Sequence, residues 1–256
     1  MEWLTCAKPV VLLHAFPFSP EMWSPQVAEL EGRYSVYAPA LPGFGGREPG
    51  AASLEAWAEE LDETLDDLGF EETVFVGLSM GGYLAFRIWD LFPERVAGLV
   101  LADTRAQPDD EAGKARRAEL AARVRAEGTE VLVEGFVPSL LGPGTRAADT
   151  EEKRAVLEWV ERWVREADPE GVARALEALA ARPDSRPLLG EIEVPTLVLV
   201  GEDDALTPPD DARAIAAAVP DAELLILPGA GHMANLERPE AFNTALLGFL
   251  EKVYGG

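Results

Sequence analysis

Positive charge and sulfur are what this chain has least of. Its 256 residues carry 22 lysines and arginines against 46 aspartates and glutamates, a formal net charge of −24. Such a surface repels phosphate backbones and anionic lipid headgroups, which argues against nucleic acid and membrane surfaces as partners. A single cysteine, Cys6, rules out an intrachain disulfide and leaves no thiolate partner for a metal. Lying just before the first apolar run, it reads as a structural residue. There are only two histidines, His14 and His232, so any imidazole chemistry has two candidates. No apolar run approaches the ~20 residues needed to cross a bilayer. The opening residues lack the basic start of a secretory leader. Together these shortages predict a soluble, cytoplasmic protein.

Hydrophobic residues make up 48% of the chain, enough for a sizeable core, and the length suits one α/β domain or a core with a small cap. Six short apolar runs stand out: 10–13, 34–38, 73–76, 96–101, 196–200 and 223–227. Each is stopped by a polar, glycine or proline residue. Continuous runs of this length predict strands buried on both faces. Helical patterns alternate with them at 21–31, 53–68, 80–91, 209–218 and 239–252. The clearest is 53–68, where Leu54, Trp57, Leu61, Leu65 and Leu68 recur at steps of three and four. Strand alternating with helix predicts a mostly parallel sheet with helices on both faces. The stretch 107–190 breaks the rhythm: it holds only helical patterns, at 109–127, 129–137, 150–166 and 169–182. It reads as a helical cap inserted between the fourth and fifth strands, dividing the chain into a core of 1–106 and 191–256 and a cap of 107–190.

One motif carries chemistry. Gly77-Leu78-Ser79-Met80-Gly81-Gly82 follows a buried strand and opens a helix. A serine at so sharp a strand-to-helix turn is forced into strained backbone geometry, and glycines two residues to either side leave room for it. The turn also sets the hydroxyl at a helix N-terminus, whose free N–H groups stabilise developing negative charge. A neutral hydroxyl needs a base. His232, in Gly229-Ala230-Gly231-His232-Met233 just past the last strand, is the candidate, while His14 is expected to brace the loop after the first strand. The base in turn needs a carboxylate. Asp204, in the loop after the fifth strand, is preferred; Asp203 is the next candidate and Asp103, after the fourth strand, a third. Two amides must face the oxyanion: Met80, following the nucleophile, and Phe16 in His14-Ala15-Phe16-Pro17, where Pro17 has no N–H to give.

His14-Ala15-Phe16-Pro17, Leu41-Pro42-Gly43-Phe44-Gly45, Gly77-Leu78-Ser79-Met80-Gly81-Gly82 and Gly231-His232-Met233 together resemble the α/β-hydrolase superfamily over residues 9–250. The chain is similar to small esterases, to enol-lactonase-like proteins and to cofactor-free haloperoxidase-like perhydrolases. The resemblance implies a Ser-His-Asp acyl-transfer enzyme acting on a small ester or lactone, with neither metal nor organic cofactor. It assigns Ser79, Asp204 and His232 to the triad and Phe16 and Met80 to the oxyanion hole. Two departures stand out: the family's His-Gly is His14-Ala15 here, and its N-terminal hairpin is missing or reduced to Trp3-Leu4-Thr5.

Substrate choice is expected to lie in the cap. Trp159 and Trp163 are four apart and share a helix face; with Phe16, Phe18, Met22 and Phe136 they are candidates for an apolar acyl pocket, or for packing the cap onto the core. Arg162 and Arg165 are candidates for attracting a carboxylate-bearing substrate, or for pairing with neighbouring glutamates. Two other functions share these residues. A perhydrolase or acyltransferase would pass the same acyl group to another nucleophile, and a receptor on a hydrolase scaffold would bind ligand with little turnover.

Overall fold

The computed structural model describes residues 8–255; Cys6 and residues 3–5 lie outside them. Six strands form one sheet: β1 (Pro9–Leu13), β2 (Ser35–Tyr37), β3 (Thr73–Leu78), β4 (Val96–Ala102), β5 (Thr196–Gly201) and β6 (Ala222–Leu227), in the order β2-β1-β3-β4-β5-β6. Every pairing among them is parallel. The apolar runs of β1, β3 and β5 are buried along their whole length.

The order is what builds a site. From β1 the chain steps outward to β2, then returns to the other side of β1 as β3 and continues away through β6. Winding therefore reverses between β1 and β3, and the loops leaving their carboxyl ends diverge there to open a crevice. Those two loops carry Ala15-Phe16 and Ser79-Met80.

The helices between strands obey local signals. Around the long helix Leu54–Leu68, Ser53 caps the start by accepting the Ala56 N–H, Leu54, Trp57, Ala58, Leu61 and Leu65 are buried, and Gly69 ends it in the left-handed region at φ 70°. The helix Met80–Leu91 is more apolar and is buried along most of its length. After the last strand a single turn, Ala234–Glu237, leads into the closing helix Pro239–Tyr254.

Between β4 and β5 every regular element is a helix. Glu111–Glu127, Glu151–Glu166 and Pro169–Ala181 are each capped by a side chain, from Asp110, Thr150 and Asp168. The pattern at 129–137 is not one helix. It breaks at Phe136 into Glu130–Gly135 and Val137–Leu140, and a further turn follows at Pro143–Arg146. Pro138 has no N–H for a continuing ladder, so the helix restarts there with proline in its first turn. The insertion's buried side chains, including Val124, Leu132, Val160 and Leu176, belong to the same continuous apolar core as the sheet.

One expectation fails. The run 223–227 is not buried on both faces: β6 is an edge strand, with Leu224 and Leu225 36% and 38% exposed. β2, at the other edge, is only half-buried. An apolar run reports the residues a strand carries but not whether a neighbouring strand or helix arrives to cover them.

Candidate active site

Ser79 sits at the sharp turn between β3 and the helix Met80–Leu91, with φ 55° and ψ −110°. A non-glycine residue in this region costs on the order of 1–3 kcal/mol, and surrounding packing must hold it there. That packing leaves no side-chain room at the flanking glycines. A Cβ on Gly77 would meet the Gly81 carbonyl oxygen at 2.3 Å, and one on Gly81 would meet the Leu13 carbonyl oxygen at 2.0 Å. The Ser79 amide donates to the Ala102 carbonyl at 2.9 Å, and Thr104 Oγ1 donates to the Ser79 carbonyl at 2.9 Å. The turn is thus tied to the end of β4.

His232 reaches this serine from the loop after β6. Its Nε2 lies 2.9 Å from Ser79 Oγ and its Nδ1 lies 2.8 Å from Asp204 Oδ2. A carboxylate at Nδ1 keeps the proton there, so Nε2 is left to accept from the hydroxyl. Asp204 is buried and fully engaged. Its Oδ1 accepts the Leu206 and Thr207 amides at 2.8 and 3.0 Å, and its Oδ2 accepts the Thr207 hydroxyl at 2.6 Å. Burial pushes its carboxyl up, but the charge of His232 and the bonds from His232 and Thr207 outweigh this and hold it below the usual carboxylate range.

The other acids have other places. Asp203 is exposed, and its amide donates to the Ala230 carbonyl. Asp103, with φ 44°, is wholly buried beside Asp204 and accepts the Gly201 amide at 2.8 Å. Its second oxygen has no donor, and burial and the neighbouring Asp204 charge raise its carboxyl well above the usual range. His14 is buried too. Its Nε2 accepts the Leu41 amide at 3.1 Å and its Nδ1 donates to the Ala15 carbonyl at 3.1 Å. Burial lowers its pKa to about 4, against a smaller upward pull from Ala15, so it is a neutral brace for the loop and forms no hydrogen bond with Ser79.

On the Phe16 and Met80 amides no hydrogen-bond acceptor is found among the described residues. Phe16 packs edge-on against Phe136 of the insertion, centroids 5.8 Å apart, and Phe18 edge-on against Trp163 at 6.1 Å. Met22 is buried beneath the loop, where its Sδ accepts the Ala15 amide at 3.2 Å. Trp159 stacks on Trp163 but is 41% exposed and faces an outer groove with Val156 and Leu236. These aromatics therefore do not gather into one pocket. Phe16 and Phe136 line a cavity of about 200 Å³ with Arg105, Arg117, Leu120 and Leu176, Phe18 and Trp163 line a groove of about 360 Å³ with Gly43–Pro49, and Trp159 stands apart. Arg165 is spent on Glu130 and Glu161.

Sequence reading missed Glu237. Its carboxylate lies buried behind the His232 loop, in the short turn Ala234–Glu237 that carries no motif of its own.

The family model for the α/β hydrolase family matches residues 10–245. The chain belongs to that family. This α/β hydrolase superposes on a thermophilic esterase from Thermogutta terrifontis with a TM-score of 0.92 and 40% identity, covering 96% of this chain and 90% of that one. It is 31% identical to a pimeloyl-[acyl-carrier protein] methyl ester esterase from Aromatoleum aromaticum, over 90% of this chain and 93% of the relative. It is 29% identical to 3-oxoadipate enol-lactonase 2 from Acinetobacter baylyi, over 88% and 82% respectively.

Proposed function

We propose that this α/β hydrolase cleaves small carboxylic esters or lactones through an acyl-Ser79 intermediate. The observation that carries this reading is the unbroken line of hydrogen bonds from Ser79 Oγ through His232 to Asp204, 2.9 and 2.8 Å long. The names of its relatives, an esterase, a methyl ester esterase and an enol-lactonase, point to the same bond type.

In the first half-reaction His232 Nε2 takes the Ser79 proton as Oγ attacks the carbonyl carbon. The tetrahedral oxyanion forms against the Phe16 and Met80 amides, whose free N–H groups stabilise it more than they stabilise the ground-state carbonyl. His232 then gives its proton to the departing alcohol oxygen. Water enters, loses a proton to His232 and attacks the acyl carbon; collapse of the second tetrahedral species releases the acid and returns the proton to Ser79. Asp204 stays ionised and stabilises the imidazolium in both halves. The insertion 107–190 acts as a cap.

The test joins a fluorophosphonate probe, which labels an activated serine, with a chain-length series of p-nitrophenyl esters and small lactones. Labelling of Ser79 and turnover of short esters are expected, with both lost in Ser79→Ala while the fold is kept. Esterase activity persisting in Ser79→Ala would remove the mechanism.

A further inference from the structure

Glu237 is a buried carboxylate without a cationic partner among the described residues, only 7% exposed. Burial raises its pKa above the ordinary value, against hydrogen bonds that pull it down. It is held by donors alone. Oε1 accepts the Gly231 amide and Oε2 the Gly142 amide, each at 2.8 Å. The Thr145 side chain and the Met233 backbone lie close enough to help hold its pKa down.

The origin of these donors is what matters. Gly231 and Met233 are the residues on either side of His232, whereas Gly142 and Thr145 belong to the insertion. The same seam is stitched by the Met233 amide, which donates to the Leu140 carbonyl at 3.1 Å. It is also so tight that a Cβ on Gly231 would lie 2.3 Å from the Gly142 nitrogen. A carboxylate is suited to the place, because its two oxygens accept from two directions at once and charge-assisted bonds are stronger than neutral ones.

We propose that Glu237 is a positioning residue that locks residues 142–145 of the insertion to the backbone on both sides of His232, so that seating the insertion and aligning the imidazole on Ser79 are one event. The catalytic part of this rests on the function proposed above; the structural part does not. A ligand that presses on the insertion is then felt at the base. An insertion that lifts away releases the imidazole, which keeps the serine unactivated while the site is open to water.

Glu237→Gln tests it. An amide keeps one acceptor and turns an NH₂ group towards the other N–H, so one side of the lock is lost with little change in volume. In the intact protein the low-field proton NMR signal of the His232 Nδ1–H bonded to Asp204 is expected to be sharp. In Glu237→Gln it broadens or disappears. Amide exchange at Gly142, Gly231 and Met233 rises about tenfold or more, as for loss of a charge-assisted bond, while β3 amides keep their protection. For p-nitrophenyl acetate, kcat falls about tenfold or more with KM changed less than about threefold, the pattern of a lost transition-state alignment.

A sharp imidazole signal with unchanged kcat in folded Glu237→Gln overturns the proposal. So does a loss of kcat accompanied by equal loss of protection in β3, which marks general unfolding. Should Glu237→Gln not fold, Glu237→Asp decides. It keeps the charge but draws the carboxylate back from the Gly142 amide, so a smaller change in the same signals supports the lock and no change overturns it. Expected NMR and exchange changes in a protein that hydrolyses no ester would keep the lock and sink the functional reading; active enzyme with unaltered signals would do the reverse.

Discussion

Acidification from pH 7 to pH 4 is expected to remove about 3 kcal/mol of folding stability through one side chain, His14. The ring is wholly buried, its Nε2 accepts the Leu41 amide, and it meets Phe44 edge-on with centroids 5.2 Å apart. Protonating Nε2 in place would set a donor against the Leu41 N–H in a site closed to bulk solvent. Burial accordingly lowers the folded pKa from 6.5 to about 4. Above pH 6.5 the ring is neutral in both the folded and the unfolded chain, and stability does not respond to it. Between 6.5 and 4 the unfolded chain takes up a proton that the folded protein refuses, so stability falls as the pH falls. Below 4 both states are protonated and the loss is complete. A gap of 2.5 units (6.5 less 4) at 1.36 kcal/mol per unit is about 3 kcal/mol. Urea unfolding of the wild-type protein and of His14→Asn at pH 7, 6, 5 and 4 measures it. The carboxylates titrate in both proteins and cancel in the difference. The variant is expected to be less stable at pH 7, having lost the imidazole's packing, and the gap should close by about 3 kcal/mol by pH 4. A gap that stays constant across that range would show that a neutral His14 is not what the fold selects.

Other substitutions probe other parts of the molecule. Asp204→Asn replaces the acceptor of the His232 Nδ1–H with a group that can favour the wrong tautomer, and steady-state assays should find kcat down about 10⁴-fold with the fold retained. Asp109 binds Arg105, Arg117 and Arg182, with the Asp109 and Arg182 side chains both nearly sealed from water. Asp109→Asn leaves that buried guanidinium short of its counter-charge and should cost about 3–5 kcal/mol in urea unfolding. Gly81→Ala sets a methyl group against the Leu13 carbonyl, and circular dichroism with fluorophosphonate labelling should find a misfolded or unreactive protein. Trp159→Ala, at a side chain 41% exposed, should change kcat/KM for short esters by less than about twofold.

How much was legible beforehand differs from element to element. The helix 53–68 was readable almost to the residue, because its cap, its apolar spacing and its terminal glycine are all local. The serine turn was readable for the same reason: glycines two residues to either side of a serine after a buried run leave few other geometries. The helix at 129–137 was drawn through Phe136, where Pro138 restarts the ladder. The run 223–227 looked like β3 in composition, yet no strand among the described residues pairs with its outer edge. The five aromatics and Met22 were candidates either for one pocket or for packing the cap onto the core, because burial and helix face alone do not say which surface each side chain meets.

Among the acids the limit is sharper still. Asp103, Asp203 and Asp204 all lie just past strand ends, and each has a good local reason to be there as a turn or cap residue. Asp203 and Asp204 are adjacent in the chain, yet the first is exposed and the second reaches His232. The chain by itself determined which segments become strands and helices, where the serine must turn, and which residue types are on hand for proton transfer, because these follow from side-chain period and backbone sterics over a few residues. Only the folded sheet decided which carboxylate meets the imidazole, that Glu237 lies behind it, and which strand is left at the edge. Those depend on contacts between segments 28 to 153 residues apart, whose meeting is set by the packing of the whole core.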